Sequence, residues 1–165
     1  MSTDAIVILR NDHKEVRELF REFEKDSTTR ARKGAIVRKV VQLLTAHTYI
    51  ENEVMYPAVR RLLPELEQDV LESYEEHHVA DVLVMELSTM GPKDERFEAK
   101  TTVLIENVRH HMDEEESDWF PKVRAGLTRT ALQELGAELL AAKKRAPKSP
   151  AQPSALKKVV DAVIA

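Results

Sequence analysis

The sequence predicts an all-α protein: an antiparallel up-down four-helix bundle followed by a fifth helix and a flexible tail. The first observation is composition, because 165 residues include only four Gly and seven Pro and are rich in helix-favouring Leu, Ala, Glu, Lys and Arg. The second is that apolar residues recur at steps of three and four along several long segments. Four such segments joined by short polar breaks are typical of a bundle.

Each bundle helix is marked by one apolar stripe and ends at a polar or helix-breaking segment. The predicted spans are residues 4–25, 32–60, 64–88 and 94–123. The first ends at the polar run Asp26-Ser-Thr-Thr, and the third ends before the Gly91-Pro92 turn. Pro57 lies near the end of the second helix, where we expect it to kink or terminate the helix. Val103 is expected on the buried stripe of the fourth helix beside Leu104.

The pattern divides the chain into three segments. Residues 1–125 form the predicted bundle, and residues 126–146 form an accessory segment with an amphipathic helix at 128–142. This helix is expected either to cap the bundle or to pack outside it. Residues 147–165 are interpreted as a Pro-rich linker with a short basic tail.

Composition and charge exclude several classes of function. The chain has no Cys, which excludes disulfides, thiolate nucleophiles and Cys-ligated zinc or iron–sulfur sites. The first 142 residues hold 28 acidic and 19 basic side chains, which is a poor match for nucleic-acid phosphates, so no nucleic-acid partner is expected. No segment has the length of a signal peptide core or a membrane span. We therefore expect a cytoplasmic protein without a membrane partner.

Shifted by 64 residues, the chain aligns with itself without a gap. Each half reads His, then 33 residues, then His-x-x-x-Glu, then five residues and Pro. The residues paired by the shift are His13 with His77, His47 with His111, and Glu51 with Glu115. A repeat of this kind indicates that two halves bring the same side chains to a shared place.

These six residues have the chemistry of a metal site. Residues four apart on a helix share a face, so His47 and Glu51 point the same way, as do His111 and Glu115. Ionised Glu on an apolar face is costly unless it is paired or metal-bound. Four His and two Glu exceed one tetrahedral zinc and match two ions bridged by the carboxylates. Iron, manganese and zinc all accept these donors, and the competing interpretation is a buried His–Glu network without metal.

The motif and its surroundings resemble the hemerythrin-like (HHE cation-binding) domain, whose pattern is H…HxxxE…H…HxxxE. The segments that carry the resemblance begin at Asp12-His13, His47-Thr-Tyr-Ile-Glu51, Glu76-His77 and His111-Met-Asp-Glu-Glu115, and the second and fourth run on to Pro57 and Pro121. The resemblance implies two iron ions, oxo- or hydroxo-bridged, in a four-helix bundle. It also implies His13, His47, Glu51, His77, His111 and Glu115 as ligands, with dioxygen, peroxide or nitric oxide as the reacting molecules.

One departure narrows the expected function. Oxygen-carrying hemerythrin has a fifth His four residues after the third-helix His, and here that position is Asp81. The pattern is similar to bacterial, notably mycobacterial, hemerythrin-like proteins, a group associated with peroxide decomposition and redox or nitric oxide responses. The resemblance implies a role in oxidative or nitrosative stress, with a di-iron catalase-like or nitric oxide-reacting activity left open. The alternative is a sensor or binding module without turnover, and iron storage ranks lower.

Two tyrosines are candidates for a further ligand or a supporting position. Tyr56 falls on Phe120 in the repeat and has a phenolic oxygen that Phe120 lacks, although it is equally interpreted as a core aromatic. Tyr74 lies one turn before His77, where packing is the competing role. No catalytic residue separate from the metal site is predicted. His78 and His110, beside ligand positions, are expected to be exposed or to support the ligands, whereas Glu53, Glu114 and Glu116 are expected to be solvated.

Overall fold

The computed structural model describes residues 3–150, and over this range it consists of helices and the turns between them. The helices are α1 Ala5–Phe23, α2 Arg30–Ile50, α3 Tyr56–Leu62, α4 Glu67–Ser88, α5 Phe97–Glu114, α6 Phe120–Gly126 and α7 Arg129–Lys143. Two π-helical turns, Glu51–Met55 and Glu115–Trp119, join α2 to α3 and α5 to α6. The all-α prediction is confirmed for this part of the chain. Most of the predicted tail, residues 151–165, lies outside the described residues.

Three helices begin at a polar side chain that caps the first turn. The Asp4 carboxylate accepts a hydrogen bond from the Val7 backbone N–H, and α1 begins at Ala5, directly after Asp4. The hydroxyls of Thr29 and Thr128 play the same part for α2 and α7. Such caps satisfy backbone donors that have no partner within the helix. Because Thr29 is the cap, α2 begins at Arg30, two residues before its predicted start.

Both long helices that contain a proline continue past it through a π-helical turn. The backbone N–H of Tyr56 donates to the Glu51 carbonyl, and that of Phe120 donates to the Glu115 carbonyl. Proline lacks an N–H, and its ring crowds the carbonyl four residues earlier, so one wider turn accommodates it without ending the helix. Of the two expectations for Pro57, termination is therefore wrong, because α3 runs on to Leu62.

The helices pack around two apolar clusters. Helix α1 packs against α2 and α7, while α4 packs against α5 and α2. The first cluster includes Leu132, Leu135, Leu139 and Ala142 of α7, so the accessory helix shares a core with the predicted bundle segment. The second cluster lies around Phe20, Val40 and Leu104. Val103, predicted to be buried, is 52% exposed, because α5 turns Thr101, Leu104, Ile105 and Val108 inward instead.

A polar layer separates the two clusters. On α1, Leu9 belongs to the first cluster and Val16 to the second, and His13 lies between them. All three side chains are buried. The fold therefore holds an imidazole where an unpaired polar group would be costly. His47, His77 and His111 are likewise buried on the neighbouring helices.

Candidate metal centre

All six side chains that the sequence predicts as ligands meet in this polar layer. Their exposure ranges from 0% for Glu51 to 6% for His111. Helices α1, α2, α4 and α5 each supply one imidazole, and each π-helical turn supplies one carboxylate as its first residue. Donor atoms lie within 4.8 Å of one another in two sets, which are His13, His47, Glu51, Glu115 and Glu51, His77, His111.

The contacts among the imidazole Nε2 and carboxylate Oε2 atoms of the six residues are nearly the same in the two halves of the repeat. The Nε2 atoms of His13 and His47 are 3.1 Å apart, and those of His77 and His111 are 3.0 Å apart. Glu51 Oε2 lies 3.1 Å from His47 Nε2 and 3.2 Å from His77 Nε2. Glu115 Oε2 lies 3.5 Å from His111 Nε2 and 3.3 Å from His13 Nε2. Each carboxylate thus contacts one histidine of its own half and one of the other half.

The outer nitrogen of every imidazole meets an oxygen acceptor. The Nδ1 contacts are His13 to Glu116 at 2.8 Å, His47 to Asp12 at 3.4 Å, His77 to Asn52 at 2.9 Å and His111 to Glu76 at 2.5 Å. Carboxylate and amide oxygens accept hydrogen bonds, so Nδ1 carries a proton in every ring and Nε2 is the nitrogen left to bind a metal once the ring is neutral. The four Nε2 atoms consequently face one another at the centre of the layer.

These supporting residues were missed in the sequence, although the repeat contains their signal. Asp12 and Glu76 are 64 residues apart and each directly precedes the first His of its half. Asn52 and Glu116 are also 64 apart and each directly follows the Glu. The expectation that Glu116 is solvated is wrong, since its carboxylate binds the His13 ring and the Arg17 guanidinium.

The arrangement fits a metal ion better than a hydrogen-bonded network. Both carboxylate oxygens of Glu51 and Oε2 of Glu115 are buried and accept no well-aligned hydrogen bond, although imidazole Nε2 atoms lie 3.1 to 3.5 Å from the two Oε2 atoms. Four imidazole Nε2 atoms and two carboxylates packed this closely leave buried polar atoms without well-aligned hydrogen bonds, which is costly in an apolar surrounding. A cation at the convergence point would turn all of these contacts into attractions, and nitrogen and oxygen donors suit iron, manganese or zinc.

A family model described as the hemerythrin HHE cation-binding domain matches residues 4–123. The chain belongs to this family. A solved hemerythrin HHE cation-binding domain-containing protein from Mycobacterium kansasii has a similar fold, with a TM-score of 0.69 and 22% identity over 86% of each chain. A DNA nickase from Nostoc sp. is 28% identical over 138 residues, which are 84% of this chain. The HHE chain spans only 38% of the length of that nickase.

Electrostatics in the metal-free HHE domain favour protonation of two of the four imidazoles. Burial alone would lower the pKa of His47, but Glu51 and Asp12 outweigh it and raise the pKa to about 10. Burial also opposes charge on His111, whose pKa Glu115 and Glu76 raise to about 9. Burial would raise the pKa of Glu51, yet His47 and His77 hold it well below its usual range. The centre therefore favours positive charge.

Of the two candidate tyrosines, the structure brings only Tyr56 into contact with the six-residue cluster. Its hydroxyl donates to Glu115 Oε1 at 3.0 Å and lies 3.1 Å from His77 Nε2. Burial and the charge of Glu115 raise the pKa of this hydroxyl well above its usual range, so it stays protonated in the metal-free HHE domain. The hydroxyl of Tyr74 instead donates to the Asn52 carbonyl, and its ring packs edge-on against Tyr56.

A narrow cavity of about 20 Å³ adjoins the imidazoles on the side of the second apolar cluster. All four histidines line it, and Val16, Leu44, Ala80, Val108 and Met112 form its apolar wall. A space of this size takes about one water-sized molecule. Asn107 also lines the cavity, and its buried Oδ1 has no hydrogen-bond partner.

Among the described residues, no helix has both the length and the apolar character needed to cross a bilayer.

Proposed function

We propose that this HHE domain holds two iron ions and uses them to bind and react with small oxidants, above all hydrogen peroxide. The observation that carries the proposal is the pairing of four imidazole Nε2 atoms at 3.0 and 3.1 Å beside two buried carboxylates, whose Oε2 atoms accept no well-aligned hydrogen bond. In this proposal α1, α2, α4 and α5 form an antiparallel up-down bundle around the centre. Oxidative or nitrosative stress in the cytoplasm is the proposed setting.

In this proposal, the two donor sets divide the six residues between two ions. His13, His47, Glu51 and Glu115 would hold one ion, while His77 and His111 would hold the other and share Glu51 with the first. Bound iron would supply redox and Lewis-acid chemistry, which the side chains of this chain lack. The six residues would hold the pair, and Tyr56 would support it as a hydrogen-bond donor to Glu115 of the first set or as a further ligand beside His77 of the second.

The cavity favours hydrogen peroxide among the small oxidants. Its volume, enough for about one water-sized molecule, restricts it to the smallest oxidants, and its apolar wall holds few groups that would order additional water. The unpaired Oδ1 of Asn107 needs a donor, which hydrogen peroxide has and which dioxygen and nitric oxide lack. A buried acceptor left without a donor costs about 1–3 kcal/mol, so it discriminates between these ligands.

Iron analysis joined to visible spectroscopy tests the proposal. Purified or anaerobically reconstituted protein should contain about two irons per chain and show a visible absorption band that changes on addition of peroxide. One iron, or none, would overturn the two-ion centre. The Asn107→Leu variant should keep its iron but raise the KM for peroxide about tenfold, while nitric oxide binding stays unchanged.

The alternative function is a sensor that detects an oxidant or iron and alters a partner. The observation that favours it is the basic end of the chain, where six Lys or Arg and one Asp follow Ala142. Deleting residues 147–165 separates the two functions. Peroxide turnover survives the deletion if the protein is an enzyme, whereas a signalling response is lost if it is a sensor.

DNA cleavage, the activity in the name of the Nostoc relative, is not part of the proposal. The chain matches only 38% of that protein, and residues 1–142 carry an excess of nine acidic over basic side chains. Such a surface repels a phosphate backbone. Incubating the iron-loaded chain with supercoiled plasmid, and finding no relaxed product, is the matching control.

A further inference from the structure

The two halves differ in what surrounds their supporting carboxylates. In the first half, Asp12 contacts His47 with Oδ2, and its other oxygen receives the Lys143 ammonium at 2.5 Å. In the second half, the equivalent Glu76 contacts His111 with Oε2, but its other oxygen lies 3.8 Å from His110 Nε2. The outward oxygen thus meets a cation of the chain in one half and an imidazole in the other.

Glu76 forms a second donor cluster with two surface residues of α5. His110 Nε2 lies 3.2 Å from Glu114 Oε1, and one donor atom from each of Glu76, His110 and Glu114 lies within 4.8 Å of the others. The side chains of His110 and Glu114 are 66% and 52% exposed. The repeat does not account for this cluster, because the positions equivalent to His110 and Glu114 are Ala46 and Ile50. One imidazole and two carboxylates are donors for a divalent first-row metal.

An acidic groove of about 360 Å³ connects this cluster with the metal centre. Six carboxylates line it, from Asp69, Glu72, Glu76, Glu114, Glu115 and Asp118. His111 and Glu115 form part of its wall although they are almost fully buried, and Glu115 Oε2 accepts no well-aligned hydrogen bond. Lys122 pairs with Asp69 and Asp118, two of the six groove carboxylates.

We propose that Glu76, His110 and Glu114 form an outer cation site that captures a divalent metal ion and delivers it along the groove to the buried centre. The inference rests on the proposed function, since the centre is the destination of the ion. Glu76 belongs to the outer cluster and also binds the His111 ring, so it contacts both ends of the route. A cleft lined by one sign of charge concentrates ions of the opposite sign and speeds their uptake.

Uptake of Co²⁺ by the full-length metal-free chain measures the first consequence. Stopped-flow absorbance should show that a His110→Ala and Glu114→Gln double variant fills its centre about tenfold more slowly at micromolar metal. The final cobalt content and spectrum should equal those of the wild type, because neither residue belongs to the buried set. Glu138→Gln is the matched control, since Glu138 is exposed on α7, which packs against α1 and α2.

Equal uptake rates in all three proteins, or equal slowing by Glu138→Gln, would overturn the outer site while leaving the buried centre in place. A wild-type chain that takes up no cobalt would overturn the proposed function itself. Binding of Mn²⁺ to the zinc-loaded chain gives an independent readout by electron paramagnetic resonance. One weakly held Mn²⁺ should bind to the wild type and Glu138→Gln and be lost in the double variant. Its persistence there would also overturn the proposal.

Discussion

The direction of each buried imidazole is set by the acceptor behind it. Glu116 holds the Nδ1 proton of His13, and Asp12 and Glu76 do the same for His47 and His111. Such partners orient the ring and make the inner nitrogen a stronger donor to a metal. Glu116 is itself paired with Arg17, and this pairing together with the bond to His13 lowers its pKa to about 2.

Replacing Glu116 with Gln should weaken binding of the ion held by His13. Glutamine still offers an oxygen acceptor but carries no charge, so the His13 ring becomes a weaker donor. We expect an affinity loss of about 10- to 100-fold for one of the two ions, measured by competition with a chelator. Asp113→Asn is the control, because Asp113 pairs with the same Arg17 but does not touch His13. Equal losses in both variants would assign the effect to Arg17 instead.

The stability of the metal-free protein should fall as the pH rises from about 6.5 to about 10. His47 and His111 have folded pKa values of about 10 and about 9, because nearby carboxylates outweigh burial, against 6.5 for an ordinary imidazole. The folded state therefore binds more protons than the unfolded state across this window. The stabilisation is complete below pH 6.5 and is lost through pH 9 to 10, by several kcal/mol.

Urea unfolding at several pH values measures this loss. In the metal-loaded protein the trend should reverse, because a metal displaces the protons and binds more tightly as the pH rises. A metal-free protein equally stable at pH 7 and pH 10 would contradict the proposed charge of the cluster.

The sequence predicted the six inner residues but not the groups that orient them. Spacing along a helix shows which residues share a face, and the repeat brought three such residues from each half together. Supporting contacts run between helices, for example from His13 on α1 to Glu116 in the second π-helical turn. Periodicity within one helix carries no information about such pairs. The same limit explains why Tyr56 was predicted near the site without its partners.

At the scale of elements, the helix pattern predicted every long helix and missed the π-helical turns. Each turn begins at a carboxylate of the cluster, Glu51 or Glu115, and ends just before the proline-containing helix that follows. A π-helical turn has almost the same apolar pattern as an α-helix over five residues, so periodicity does not reveal it. The signal was the proline six residues after each Glu, which was interpreted as a kink or an end.

Gly136→Ala should destabilise the protein because α7 touches the start of the chain at that point. A Cβ at Gly136 would lie 1.6 Å from the Thr3 carbonyl oxygen, which is backbone and has little freedom to move. We expect a loss of about 3 kcal/mol, seen as a fall in Tm of about 10 °C. Gly91→Ala is the control, because no atom lies within 4 Å of its Cβ and its φ is negative. Similar Tm values for the two variants would show that α7 is not held in this contact.

At the scale of the molecule, each half of the repeat contributes two histidines and one glutamate to the centre. Glu51 contacts His77 of the second half, and Glu115 contacts His13 of the first, so neither half holds its donors alone. The centre also lies between two separate apolar clusters, which places the strongest polar contacts where the apolar core is interrupted. An ion bound there connects four helices that pack with different neighbours. Metal binding and folding should consequently be coupled.

Loading with Fe²⁺ under anaerobic conditions should therefore raise the Tm of the whole chain. A metal present at about a thousand times its dissociation constant adds about 4 kcal/mol per site, which corresponds to a gain of about 10 °C or more. A Glu51→Gln and Glu115→Gln double variant removes the two carboxylates that join the halves, and its gain should fall below about 2 °C. Differential scanning calorimetry with and without a chelator measures both gains. An equal gain in the variant would mean that iron stabilises the protein from another place, because no carboxylate would then remain among the six converging side chains.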